Sequence, residues 1–249
     1  MIPYHVPAIT GGEEANLRAA MASGKLSGNG AFTRACHAWM EDKLGCPRVL
    51  LTTSCASALD LAAVLMDLKS GDEVIMPSFA FVSSANAVAL RGATPVFVDI
   101  RPDTLNLDET LIEAAITPRT RAIIPIHYAA VACAMDVMLA IARKHSLFLI
   151  ENTAHGLLAT WNGRALGTLG AMGALSFHDS KNVHCGEGGA LTINDPELVE
   201  RAEMIRDSGT DRTRFDRGQV NRYSWQDLGG SPLPSELNAA FLMAQLEFA

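Results

Sequence analysis

Apolar positions along the chain follow two alternating periods. Residues 49–52 are a short apolar run. Within 57–68, Leu59, Ala62, Ala63 and Met66 then recur at helical spacing. Gly71-Asp72 breaks that pattern, and 73–76 reads as a strand stopped by Pro77. A helix is predicted over 83–90 and a strand over 94–99. A helix over 108–115 follows, with Asp108 as its cap. A strand over 122–126, a helix over 136–145 and a strand over 147–151 complete the series. Such alternation predicts an α/β fold with a mostly parallel sheet between helices.

Beyond Gly156 the spacing shortens, with extended segments near Thr160, over 175–178 and over 190–194. Pro196 opens a helix reaching about Asp207. Residues 208–235 are polar and rich in Arg, Gly and Pro, long enough for a functional loop. Ser235-Glu236 starts an apolar helix that runs to Ala249 without a stop signal. That unbroken pattern leads us to expect a further C-terminal part, and its absence to leave the surface of the helix over 237–246 exposed.

Composition narrows the function classes. The 249 residues are 49% hydrophobic and 19% charged, which provides a large core. A net charge of −7 argues against a nucleic-acid surface. The most apolar stretch, 122–135, contains Pro125 and His127 and is shorter than the roughly 20 residues of a membrane span. With no secretory leader at the start and five cysteines lacking a Cys-x-x-Cys pair, a cytoplasmic protein with reduced thiols and no metal site is expected.

Ligands of open parallel sheets gather beyond the carboxyl ends of the strands, which directs attention to 52–57, 77–81, 126–128 and 151–156. Thr52 to Ala58 joins a strand to a helix through small and hydroxyl residues. Such a turn is either an anion site or an ordinary cap. Lys181 lies just past an apolar strand in Ser176-Phe177-His178-Asp179-Ser180-Lys181-Asn182, followed by Gly186-Glu187-Gly188-Gly189. It is either a Schiff-base amine or a solvated surface lysine. Phe81 is a core ring or one stacked on a flat ligand. Strand alternation puts Glu151 and Asn152 on opposite faces, so only one of them faces a ligand. Taken singly, each of these features has an ordinary structural explanation.

Together they resemble the DegT/DnrJ/EryC1/StrS family of pyridoxal phosphate (PLP) sugar aminotransferases, over residues 1 to about 247. The resemblance rests on Gly24 to Gly30, Gly71 to Ser78, Val98 to Thr104, Ser176 to Gly189 and Arg217 to Val220. Within the family it points to the branch making dTDP-4-amino-4,6-dideoxygalactose for enterobacterial common antigen. The resemblance implies an aspartate-aminotransferase-like, fold type I large domain over 1–235. Residues 236–249 would then begin the helix leading to a small C-terminal domain. It implies that Lys181 is the Schiff-base lysine and that Phe81 stacks on the pyridine ring. Cys55, Ala56 and Ser176 would hold the phosphate, and His155 would lie beside the ring. The implied reaction moves an amino group from L-glutamate to the 4-keto carbon of a dTDP-4-keto-6-deoxyhexose, in a homodimer. The family carries Asp where this chain has Asn152, Thr at Ala56 and Gly at Ala130. Asn152 makes a catalytically impaired relative the alternative reading. A PLP sugar dehydratase, with His at the lysine position, is disfavoured by Lys181.

Overall fold

The protein is described here by a computed structural model covering residues 2–3 and 5–249. Two helices, α1 (Glu13–Ala22) and α2 (Ala31–Leu44), precede the first strand. Next come β1 (Arg48–Thr52), α3 (Cys55–Leu65), β2 (Glu73–Pro77), α4 (Ser83–Ala89) and β3 (Thr94–Val98). The middle of the chain holds α5 (Ile112–Ala115), β4 (Thr120–Ile123), α6 (Met135–His145) and β5 (Phe148–Asn152). The last part holds β6 (Thr160–Trp161), β7 (Arg164–Ala165), β8 (Met172–Ser176), β9 (Gly189–Ile193), α7 (Val199–Arg206), α8 (Arg212–Asp216) and α9 (Glu236–Phe248).

Among the described residues, one sheet of seven strands runs in the order β1-β9-β8-β5-β4-β2-β3. Every pairing from β8 to β3 is parallel, and β9 alone runs against its two neighbours. Strand side chains alternate between two cores, as the period of two requires. Leu50, Val74, Met76, Ile150 and Leu191 pack against α3, α4 and α7 on one face. Val49, Leu51 and Leu175 meet α2 and α9 on the other face, and Ile75, Ile123 and Leu149 meet α5 and α6 there. Burial on both faces explains why the strands read as continuous apolar runs.

The structure moves several predicted boundaries. Helix α3 begins at Cys55 rather than residue 57, because Ser54 caps it and accepts the amide of Ser57 at 3.0 Å. The strand expected over 175–178 is Met172–Ser176, since Gly173 packs against the backbone of Gly167 and reads as a turn in the sequence. Asp108 does cap, accepting the amide of Thr110, but a 3-10 turn comes before α5. Strand β4 ends at Ile123, with Ile126 joined to Asn152 only by an isolated bridge. The polar stretch 208–235 contains the short α8.

Two further differences concern tertiary packing. Periodicity did not reveal helices α1 and α2, whose buried faces include the polar residues Glu13, Thr33 and His37. The expectation of an exposed surface over 237–246 is overturned. Ala239, Ala240, Leu242, Ala244 and Leu246 are buried, because α9 packs between α1 and α2.

Candidate active site

The turn after β1 supplies an anion cradle. Ser54 is extended and its hydroxyl takes the Ser57 amide, so the amides of Cys55 and Ala56 have no partner among the described residues. They lie at the positive end of α3, where a phosphate is favoured. The Ser57 hydroxyl is 3.0 Å from those of both Thr53 and Ser54, so a hydroxyl adjoins Ala56. Gly189 makes this approach possible. A Cβ there would lie 2.3 Å from the Ser54 carbonyl carbon and 2.4 Å from the Cys55 nitrogen. Only glycine lets β9 start against the first turn of α3.

That contact carries the β8–β9 connection over the cradle. The connection is tied by Phe177 N–H to Gly188 O and Asp179 N–H to Gly186 O, each 2.8 Å. Lys181 follows, its amide donating to His178 O at 2.9 Å. Burial holds the Lys181 amine below the usual lysine range, with Cys55 acting in the opposite sense. The Cys55 thiol is itself pushed up to about 12 by burial, against the pull of Lys181, and so stays neutral.

Strand β5 delivers two polar side chains to opposite faces, as its alternation demands. Asn152 is 4% exposed and turns toward α4. Its Nδ2 donates to Ser84 Oγ at 2.9 Å, and its Oδ1 accepts the Ala154 amide at 3.1 Å. Because a backbone amide can only donate, the Ala154 contact fixes which end of the side chain is oxygen. Glu151, on the other face, is fully buried. It accepts from Gly167, Leu169 and Gly170 amides at 2.7–2.8 Å and from His127 Nε2 at 3.0 Å. His127 Nδ1 accepts the Cys133 amide, which leaves the ring proton on Nε2 for Glu151. Glu151 therefore anchors a loop and does not face the cleft.

His155 Nδ1 accepts the amide of Ala129 at 3.3 Å, and its ring meets Tyr128 edge-on at 5.9 Å. Burial and then Lys181 lower its pKa from the ordinary histidine value. Phe81 is 79% exposed, so it is not a core ring.

Cys55, Ala56, Phe81, Asn152, His155, Ser176 and Lys181 all border one cavity of about 460 Å³. A second recess of about 580 Å³ shares Tyr128, His155, Ser176 and Lys181 with it. An apolar ring open to the cleft, free amides at a helix start and a partly desolvated amine fit a flat, phosphate-bearing aldehyde. Sequence reading missed Ser84 behind Asn152, which lies 68 residues away and carries no local signal. It also missed Ser180 beside Lys181, although the Ser176–Lys181 stretch had drawn attention.

The chain matches the DegT/DnrJ/EryC1/StrS aminotransferase family over residues 7–249. It is 37% identical to the spore coat polysaccharide biosynthesis protein SpsC of Bacillus subtilis over 224 residues, 90% of this chain and 57% of SpsC. It is 37% identical to GDP-perosamine synthase of Caulobacter vibrioides over 246 residues, 99% of this chain and 64% of that protein. The chain thus spans about three fifths of the length of these relatives. Among solved structures, the aminotransferase TlmJ of Streptoalloteichus hindustanus superposes with a TM-score of 0.91 at 33% identity, covering 99% of this chain and 66% of TlmJ. Spr1654 of Streptococcus pneumoniae gives a TM-score of 0.90 at 25% identity in both its PLP and PMP forms, again over 99% of this chain, with 66% and 65% of Spr1654 covered. Fold type I and pyridoxal phosphate as cofactor accord with these likenesses. The chain belongs to the DegT/DnrJ/EryC1/StrS aminotransferase family.

Proposed function

We propose that the protein is a PLP-dependent nucleotide-sugar aminotransferase, moving the amino group of L-glutamate to the 4-keto carbon of a dTDP-4-keto-6-deoxyhexose. The observation that carries this reading is Lys181, an amine lowered in pKa by burial, bordering the same cleft as the α3 amides and Phe81. We assign Lys181 as the residue that holds the cofactor covalently. Its less-protonated nitrogen has the lone pair needed to attack a carbonyl and to carry a proton between carbon atoms. The cofactor supplies an aldehyde that exchanges amines and a ring that withdraws electrons. The Cys55 and Ala56 amides and the Ser176 hydroxyl would hold its phosphate, Phe81 would cover one ring face, and Asn152 and His155 would meet the ring edge.

The dTDP-4-amino-4,6-dideoxygalactose branch rests on the sequence motifs, notably Ser176 to Gly189. GDP-perosamine synthase among the relatives makes a GDP-sugar the competing substrate class. A homodimer accords with the apolar residues open to solvent at Phe215, Tyr223, Trp225 and Leu228. Five unpaired thiols are in keeping with a cytoplasmic site of action. No described helix is long and apolar enough to cross a membrane. We further assign 1–235 to the cofactor-binding large domain and 236–249 to the lead into a small C-terminal domain, in line with the greater length of the relatives.

Asn152 favours a second reading, a relative that binds cofactor or sugar nucleotide with impaired turnover. A neutral amide cannot hold a pyridine nitrogen protonated by charge. The absorbance spectrum of purified protein with PLP, then glutamate, tests both. An active aminotransferase shows a visible band that glutamate bleaches, and Lys181→Ala abolishes that band. Bound PLP that glutamate leaves unchanged overturns the enzyme reading in favour of the second.

A further inference from the structure

We propose that His178 is a positioning residue for Lys181, clamping with its ring and its carbonyl the two backbone amides that fix the base of the lysine side chain. The ladder of the β8–β9 connection includes Asp179 N–H to Gly186 O at 2.8 Å and resumes with Cys185 N–H to Phe177 O at 2.9 Å. In the gap, the Lys181 amide donates to His178 O at 2.9 Å and the Ser180 amide to His178 Nδ1 at 3.1 Å. The Asn182 and Val183 amides have no partner among the described residues. His178 therefore supplies both acceptors of the turn that carries the amine.

Three oxygens surround its ring. Ser180 Oγ lies 2.9 Å and Asp179 Oδ1 3.0 Å from Nδ1, while Glu187 Oε1 is 3.7 Å from Nε2. A backbone amide can only donate, so Nδ1 is bare and the ring proton sits on Nε2, toward Glu187. A proton on Nδ1 would turn that nitrogen to the Asp179 carboxylate and release the Ser180 amide. A side chain that accepts the amide two residues on mimics a backbone turn. It fixes the lysine's backbone and leaves the flexible four-carbon stem to reach the cleft. His178, Ser180 and Lys181 border the same cavity, with Cys55 of α3, His155 beyond β5 and Glu187 as its other titratable groups. Burial there holds the Lys181 amine below the lysine range, so a released turn lets the amine reach water and regain its ordinary value. What the amine does in the cleft rests on the proposed function; the clamp does not.

Hydrogen exchange of the unaltered, ligand-free protein is expected to be at least about tenfold slower at the Ser180 and Lys181 amides than at Asn182 and Val183. Ser180 exchanging as fast as those two overturns the clamp. Competitive labelling with trace acetic anhydride across pH, read by peptide mass spectrometry, compares the Lys181 amine with those of the exposed Lys25, Lys43 and Lys69. Asparagine places an acceptor oxygen where Nδ1 stood, so His178→Asn keeps the Lys181 pKa below those of the exposed lysines. His178→Leu has no acceptor, and the Lys181 pKa rises to join theirs. Leucine leaving Lys181 unchanged, or asparagine behaving as leucine, overturns the positioning role. With pyridoxal phosphate added, the visible band forms about fivefold more slowly in His178→Leu than in His178→Asn, the scale of one hydrogen bond. Equal rates count against the positioning role as well. Failure of the unaltered protein to form the band counts against the proposed function, while exchange and labelling still decide the clamp.

Discussion

Asn152→Asp is the substitution whose outcome follows most directly from the geometry. The side chain touches two groups, the Ala154 amide on Oδ1 and the Ser84 hydroxyl on Nδ2. The amide donates to an aspartate as readily as to an asparagine. The hydroxyl can rotate to donate instead of accept. No new void arises, since the two side chains are nearly the same size. What changes is charge at a position only 4% exposed. In the ligand-free protein that charge is buried with no cation among its hydrogen-bond partners, which lowers stability by about 1–2 kcal/mol. With cofactor bound, a neutral hydrogen bond of about 1 kcal/mol becomes a charged one of about 1.5–3 kcal/mol. The difference, about 0.5–2 kcal/mol, corresponds to roughly 2–30-fold tighter binding. Fluorescence titration with pyridoxal phosphate measures the affinity, and bleaching of the visible band by glutamate measures the gain in reaction. Unchanged affinity in a folded variant would show that Asn152 does not meet the ring, and the reasoning about the missing carboxylate would fail with it.

Other predictions concern stability. Glu236 opens α9, yet its carboxylate accepts the amides of Gly30, Phe32 and Thr33 and the Thr33 hydroxyl, and so caps α2. Glu236→Ala strands these donors in a buried site and is expected to cost about 3 kcal/mol or more in denaturant unfolding, with Glu236→Gln in between. Ala130→Gly relieves a left-handed alanine, worth roughly 1–2 kcal/mol, against about 0.4–1 kcal/mol of unfolded-chain entropy. A net gain of about 0.5–1 kcal/mol should appear as a higher melting temperature, and a loss would contradict the strain argument. Burial raises the pKa of Glu13, but hydrogen bonds from Thr10, Gly11 and Gln245 outweigh it and bring the carboxyl to about 2 from 4.5. A depressed carboxylate pKa stabilises above the unfolded value and loses that contribution as pH falls through the folded one. About 3 kcal/mol should therefore disappear between pH 4.5 and about 2. Unfolding across that range should be less acid-sensitive in Glu13→Gln.

The alternation of apolar strands and amphipathic helices made the sheet legible, because each buried strand needs its own continuous apolar run. The strand-end rule then located the cleft, and Lys181, Phe81 and Asn152 all border it. Period two separated Asn152 from Glu151 correctly, one toward Ser84 and the other into a backbone nest. Helices α1 and α2 escaped notice because their buried faces mix polar residues, Glu13 in α1 and Thr33 and His37 in α2, with apolar ones. Their stability comes from packing on α9, more than 190 residues later in the chain.

Local chemistry along the chain thus determined which residues form strands, where helices are capped and which side chains reach the strand ends. Tertiary structure decided the rest. It alone set the Ser84 hydroxyl on Asn152, the Ala129 amide on His155, and the Glu236 carboxylate at the start of α2. The physical reason is one of range. Periodicity and capping act over a few residues, whereas a buried donor is satisfied by whatever group the fold brings within about 3 Å. That group can come from anywhere in the chain.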